Sequence, residues 1–126
     1  MTAGRALVLA VLLGASGAAS AGLVEIGWNG ADRYEQRLSI EAGGFTELCG
    51  RLVEGARIQW QFEASAPTSF NIHFHEGKAV TFPAKEEGTT RSTGTLEVRS
   101  ARDYCWMWSN KTEASMSVFV QMSKNP

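Results

Sequence analysis

The 126-residue sequence is short of the residues on which most catalytic and nucleic-acid-binding proteins depend. It has two histidines and two cysteines. The histidines, His73 and His75, are one residue apart, so an imidazole base elsewhere in the chain is excluded. The two cysteines do not form a C-x-x-C pair, which excludes the thioredoxin type of redox chemistry. No G-x-S-x-G elbow, phosphate-cradling glycine loop or H-E-x-x-H helix occurs. Basic charge is not in excess: 12 Lys and Arg face 13 Asp and Glu. A nucleic-acid footprint would need a basic stripe, so no nucleic-acid partner is expected. No apolar run reaches the roughly 20 residues of a spanning helix, so no transmembrane anchor is expected.

What is present reads as one exported domain. Apolar residues make up 44% and charged residues 20%, values that fit a globular chain rather than a disordered one. Residues 1–21 have the form of a signal peptide. Arg5 supplies a positive start, Ala6 to Leu13 is an apolar stretch, and Ala19-Ser20-Ala21 fits the small-residue cleavage rule. Arg5 is the sole charged residue of that segment, so its removal shifts the net charge from −1 to −2. Residues 22–126 then form a single domain, exported to a periplasmic or extracellular space. An even cysteine count in an exported chain points to a disulfide, Cys49 with Cys105. Closing a loop of about 57 residues is worth about 4 kcal/mol in chain entropy.

Strand signals dominate residues 22–126. Val24, Ile26 and Trp28 alternate before an Asn29-Gly30 turn, and residues 31–41 lean to strand. Phe45 to Leu52 is a further short strand, followed by a turn at Glu54-Gly55. In residues 57–63, Ile58, Trp60 and Phe62 face one way and Gln59, Gln61 and Glu63 the other. Pro67 is expected to end that strand. Residues 69–76 repeat the pattern, with Phe70, Ile72 and Phe74 on one face and Asn71, His73 and His75 on the other. Gly77-Lys78 makes a turn. Pro83 confines the Val80–Phe82 strand to an edge or a strand end. Residues 84–94 read as an exposed polar loop, and Leu96 and Val98 as another strand. Residues 103–110 are apolar on both faces. Met116, Val118, Val120 and Met122 alternate in the last strand. About eight strands with turns between them, and no amphipathic helix, predict an all-β fold, a small antiparallel β-sandwich of jelly-roll-like kind.

The order of these motifs resembles a known family. Ile58-x-Trp60-x-Phe62 followed by Asn71-Ile72-x-Phe74 resembles the W-x-F … I-x-F core of GOLD (Golgi dynamics) domains. Tyr104-x3-Trp108-x-Asn110 resembles their Y-x3-[FW]-x-N signature, and Gly55 sits where they turn into the first motif. The resemblance covers about residues 35–122. It implies a compact sandwich used for protein–protein contact, with a disulfide between strands that Cys49 and Cys105 would supply. Two features depart from the pattern. Cys105 lies five residues before Asn110, farther than in the trafficking receptors, and no coiled coil, membrane helix or cytosolic tail follows residue 122. The cargo-receptor role is therefore not implied.

Three groups of residues are candidate sites. His73 and His75 share one strand face at a spacing that can chelate a metal. With Met107 as a soft third ligand, they form a candidate copper set. Outward polar positions on a half-buried strand explain the pair without any ligand. Tyr104, Trp106 and Trp108 share one face of their strand, and Cys105, Met107 and Ser109 the other. If the aromatics point outward they form a contact surface; if inward they are core and Met107 is outside. Asn110-Lys111-Thr112 has the form of a glycosylation sequon, although the family pattern gives Asn110 the role of satisfying a turn. Glu86-Glu87 reads as solvated surface. The expected function is an exported, non-enzymatic module that binds a protein or envelope component. A small copper-binding protein is the alternative, and a hydrolytic enzyme the weaker one.

Overall fold

A computed structural model describes residues 22–125. The signal-peptide reading of residues 1–21 lies outside them. Seven strands occur among the described residues: β1 (Gly22–Glu25), β2 (Arg33–Ile40), β3 (Phe45–Leu52), β4 (Arg57–Glu76), β5 (Ala79–Glu97), β6 (Arg102–Ser109) and β7 (Met116–Asn125). They form one curled sheet in the order β1-β3-β6-β4-β7-β2, with β5 on the other side of β4. Every pairing is antiparallel except β1 with β3.

The fold turns on β4. Its first part, Arg57–Ala64, pairs with β7, and its second part, Ser69–His73, pairs with β6. Between them the chain bends through Ser65-Ala66-Pro67, where the pairing with β5 also shifts register. Pro67 has no N–H to give to a ladder. Here it sits in the irregular stretch between two ladders and bends the strand instead of ending it. The expected strands at 57–63 and 69–76 are therefore one strand of 20 residues. The same holds for β5. Residues 84–94, expected as a loop, are part of a continuous edge strand that also contains Pro83. Two mergers turn the nine strand segments read from the sequence into seven strands.

The bend folds the two parts of the sheet face to face as a small β-sandwich. Inward residues from both sides of the bend meet. Phe62 lies 4.7 Å from Phe70 and 5.6 Å from Trp108, and Trp60 lies 5.0 Å from Phe70, between ring centroids. Ile58, Trp60, Phe62 and Ile72 are buried as their alternation requires, while Phe74 is half-buried against Tyr104 and Arg102. Leu38, Ile40, Val118 and Val120 close the core from the β2–β7 side. Gly94 of β5 stands directly opposite Trp60. A Cβ there would come within 2.6 Å of the indole Cζ2, so the ring occupies the space a side chain would need.

Two polar anchors hold the rim. The Tyr104 hydroxyl donates to the Ser100 carbonyl at 2.9 Å. Asn110, buried after β6, has its Nδ2 at 3.0, 3.1 and 2.8 Å from the carbonyls of Ile40, Glu41 and Ala114. Its Oδ1 accepts from the Thr112 N–H and hydroxyl. Asn110 thus satisfies the turn, and its amide nitrogen is enclosed in the folded chain rather than presented as a glycan acceptor.

Candidate functional site

On β3, β6 and β4, alternation sends Leu48, Trp106 and Ile72 into the core and Cys49, Cys105 and His73 to the outer face. The register aligns these three outward residues. Cys49 pairs with Cys105, and Cys105 pairs with His73. The neighbouring row is Leu23, Glu47, Met107 and Asn71. One face of four strands therefore carries the disulfide, His73, Glu47 and Met107 side by side.

The Cys49–Cys105 disulfide is formed, with Cα atoms 4.1 Å apart. It ties neighbouring strands of one sheet, and no free cysteine remains among the described residues. Such a bond is typical of an oxidising compartment. No helix among the described residues is long and apolar enough to cross a membrane.

His73 is only 7% exposed although it lies on the outer face. The disulfide, Glu47 and the Phe82 ring of β5, 6.1 Å away, enclose it. Its Nδ1 lies 2.7 Å from Asn71 Oδ1, a geometry in which the ring N–H donates to the amide oxygen. Its Nε2 faces Glu47 Oε1 at 3.8 Å. Burial pushes the His73 pKa below the ordinary histidine value, with Glu47 opposing the shift and His75 adding to it. His75 is exposed, and its ring stands perpendicular to that of His73 with centroids 5.4 Å apart. The expectation of two solvated imidazoles thus holds for His75 and is corrected for His73. Met107 is half-buried opposite Asn71, two pairs along the ladder from the Cys105–His73 pair and so on the same face. The ligand atoms that converge within 4.8 Å are those of Glu47, His73 and Cys105.

Tyr104, Trp106 and Trp108 are 2%, 0% and 0% exposed. They are core, and the contact-surface reading of this trio is corrected. β6 is an interior strand between β3 and β4, so its large side chains fill the sandwich while Cys105 and Met107 face outward. The exposed apolar groups lie elsewhere. Leu23, Val80 and Phe82 are exposed at 67%, 41% and 45%, and Phe45 and Val53 are exposed as well. Leu23 is on the outer face beside Glu47, and Val80 is paired with His75. An open groove of about 730 Å3 lined by Leu23, Glu47, Cys49, His75, Arg102 and Cys105 lies on this face.

Sequence reasoning singled out His73 but missed Glu47, Asn71, Leu23 and Phe82. Glu47 had a usable signal: it lies two residues before Cys49, hence on the face that the disulfide fixes. Phe82 had none, because its place beside His73 depends on the register shift between β4 and β5 at Ile72/Phe74.

A second groove of about 490 Å3 lies on the other part of the sheet, lined by Gln61, Glu63, Arg91, Phe119 and Gln121. Its polar groups bond one another. Gln61 Nε2 donates to Gln121 Oε1 at 2.5 Å, Arg91 pairs with Glu63, and Arg37 covers the Phe119 ring at 5.0 Å. Glu86 and Glu87 belong to β5. Glu87 accepts from the Ser69 hydroxyl and pairs with Lys111, and these contacts hold its carboxyl below the usual range.

No protein-family model matches the chain, and no curated protein matches it in sequence. Membership of the GOLD family is therefore not shown. Solved structures do share the fold. The PliG protein of Aeromonas hydrophila, a periplasmic inhibitor of g-type lysozyme, is similar at a TM-score of 0.61 and 13% identity, over 82% of this chain and 96% of that one. PliG of Salmonella Typhimurium is similar at 0.55 and 10% identity, over 82% and 97% of the two chains. The Yersinia pseudotuberculosis-derived mitogen is similar at 0.58 and 9% identity, over 74% and 86%. At these identities the likeness is one of fold: a β-rich domain that accounts for almost all of each PliG chain.

Proposed function

We propose that this protein is an exported, non-enzymatic module that binds another protein, and that its partner is an enzyme of the g-type lysozyme class. The observation that carries this reading is the whole-chain likeness of fold to two periplasmic inhibitors of that enzyme. The signal-like segment and the disulfide support export. The outer face around the disulfide is the proposed contact surface. Leu23, Val80 and Phe82 offer exposed apolar area there, between charged groups such as Glu47 and Arg102. An apolar centre with a polar rim is the usual make-up of a protein interface.

The test is binding of g-type lysozyme to the immobilised protein, with a lysozyme of another type as control. Saturable binding of the g-type enzyme alone is expected. Phe82→Asp and Leu23→Asp, both at exposed positions, should weaken it at least about tenfold, the loss of about 1.4 kcal/mol. Binding that ignores both substitutions would displace the surface, and no binding would displace the partner.

A second reading, copper held by His73 and His75, has one observation in its favour: the two rings lie 5.4 Å apart on one face. Calorimetric titration of the oxidised protein with Cu(II) tests it. Equal responses from wild type and the His73→Ala, His75→Ala double variant would remove it.

A further inference from the structure

We propose that reducing the Cys49–Cys105 bond converts this face into a tetrahedral site for a thiophilic divalent cation such as Zn2+, held by Cys49, Cys105, His73 and Glu47. In the oxidised chain the two sulfurs are committed to each other, so the set is masked. The remaining geometry is already in place. Atoms of Glu47, His73 and Cys105 lie within 4.8 Å of one another, and Glu47 Oε1 is 3.4 Å from Cys49 Sγ. That last contact is not a hydrogen bond in the oxidised state, because a disulfide sulfur has no proton to give. Zn–S bonds of about 2.3 Å and Zn–N or Zn–O bonds of about 2.0–2.2 Å put tetrahedral ligands about 3.3–3.8 Å from one another. The 3.8 Å between His73 Nε2 and Glu47 Oε1 is a few tenths of an ångström longer than a tetrahedral N···O edge of about 3.3–3.5 Å, so a small rotation of the Glu47 carboxylate closes it onto the ion. Once the bond is cut, the sulfurs separate to about the same distance by rotation about their own Cα–Cβ bonds.

The surroundings of His73 fit the role. Its Nδ1–H is taken by Asn71 Oδ1 at 2.7 Å, which leaves the lone pair on Nε2. Metal-binding histidines are commonly oriented by such a hydrogen bond from the other ring nitrogen. Nε2 is aimed at Glu47, and a neutral imidazole and a carboxylate there are two acceptors facing each other with no proton between them. A cation between them would satisfy both. Two thiolates, one imidazole and one carboxylate are ligands of the kind zinc takes.

The chemistry balances. A dithiol or phosphine reductant supplies two electrons and is itself oxidised. The disulfide takes up those electrons and two protons to give two thiols, and the metal ion displaces both protons on binding.

The experiment uses the purified protein, reduced with a phosphine under anaerobic conditions and titrated with Zn2+ against a chromophoric chelator. One Zn2+ per reduced chain is expected, with the oxidised chain binding at least a hundredfold more weakly. Cd2+ in place of Zn2+ should give a thiolate-to-metal charge-transfer band of the intensity of two thiolates. Glu47→Gln and His73→Ala keep both thiols and should each weaken binding at least tenfold. Asn71→Ala, which removes only the orienting bond, should weaken it about tenfold or more. Circular dichroism follows the fold. If the reduced, metal-free chain has lost its β signal, one equivalent of Zn2+ must restore it. Equal binding by oxidised and reduced protein, His73→Ala binding as wild type, or an unfolded reduced chain that Zn2+ does not refold would each overturn the proposal. Lysozyme binding is measured on the oxidised protein, so failure of that reading leaves this one intact.

Discussion

Gly94 is a position where the addition of one methyl group has a calculable consequence. It stands across the β4–β5 ladder from Trp60, and a Cβ would lie 2.6 Å from Cζ2 and 2.9 Å from Cε2 of the indole. Trp60 cannot retreat freely. It is 6% exposed, stacked beside Phe62 at 6.3 Å and against Phe70 at 5.0 Å. In Gly94→Ala the ring must shift into that cluster or β5 must move away. Overpacking of this kind costs about 1–3 kcal/mol. Replacing a strand glycine also stabilises, by about 0.5–1 kcal/mol, because the unfolded chain loses freedom. The clash is the larger effect, and the net expected loss is about 1–2 kcal/mol. For a domain of this size that is a fall in Tm of about 5–15 °C. Thermal and urea unfolding of four proteins measure it: wild type, Gly94→Ala, Trp60→Phe and the double variant. Phenylalanine lacks the indole atoms that the new Cβ meets, so Trp60→Phe should relieve much of the Gly94→Ala penalty. A coupling of about 1 kcal/mol between the two sites is expected. A Gly94→Ala protein as stable as wild type, with no coupling to Trp60, would refute the packing of Trp60 over β5.

Three further outcomes are expected. Replacing Cys49 and Cys105 by Ala should cost about 4 kcal/mol from the loop they close, read as a shift of the urea midpoint, and unfolded, unreduced wild type should show no free thiol. His73 has a pKa lowered by burial, so the unfolded chain takes up a proton at higher pH than the folded one. Its contribution to stability is therefore complete above about pH 6.5, the ordinary histidine value, and is lost as pH falls through the lowered pKa. Denaturation at pH 7.5 and pH 5 should show that loss in wild type and less of it in His73→Gln; equal loss in both would contradict the assignment. Asn110→Ala should cost about 2–4 kcal/mol, because the carbonyls of Ile40, Glu41 and Ala114 lose their shared donor, and a neutral result would show that the turn does not depend on that side chain.

The fold class was legible because several strands bury one face only. Ile58-Trp60-Phe62 and Met116-Val118-Val120-Met122 alternate cleanly, and their inward residues are buried as the alternation requires. The length of β4 and β5 was not legible. Pro67 is an end signal in sequence, and only the change of partner from β7 to β6 makes it a bend. Residues 84–94 look like a loop because β5 is an edge strand whose inward positions are small, with Ala84 half-buried on the core and Gly94 under Trp60. The disulfide was legible from the cysteine count, and the turn-satisfying role of Asn110 from the family resemblance. The state of the 104–108 segment was not, since both of its faces are apolar and only the interior place of β6 decides between them. His73 was legible as a candidate, but its burial was not. That burial comes from Glu47, the disulfide and Phe82, three neighbours brought together by register from three other strands.

Inhibition of a g-type lysozyme by the oxidised protein tests the central reading most directly. The enzyme's lysis of bacterial cell walls is followed while this protein is added in increasing molar ratio, with Phe82→Asp as a folded control. The reading predicts that lysis falls to a small residual rate as the ratio passes one to one, and that Phe82→Asp shifts the curve to at least about tenfold higher concentration. Undiminished lysis at a hundredfold molar excess of the wild-type protein, with no complex detected by size-exclusion chromatography, would contradict it.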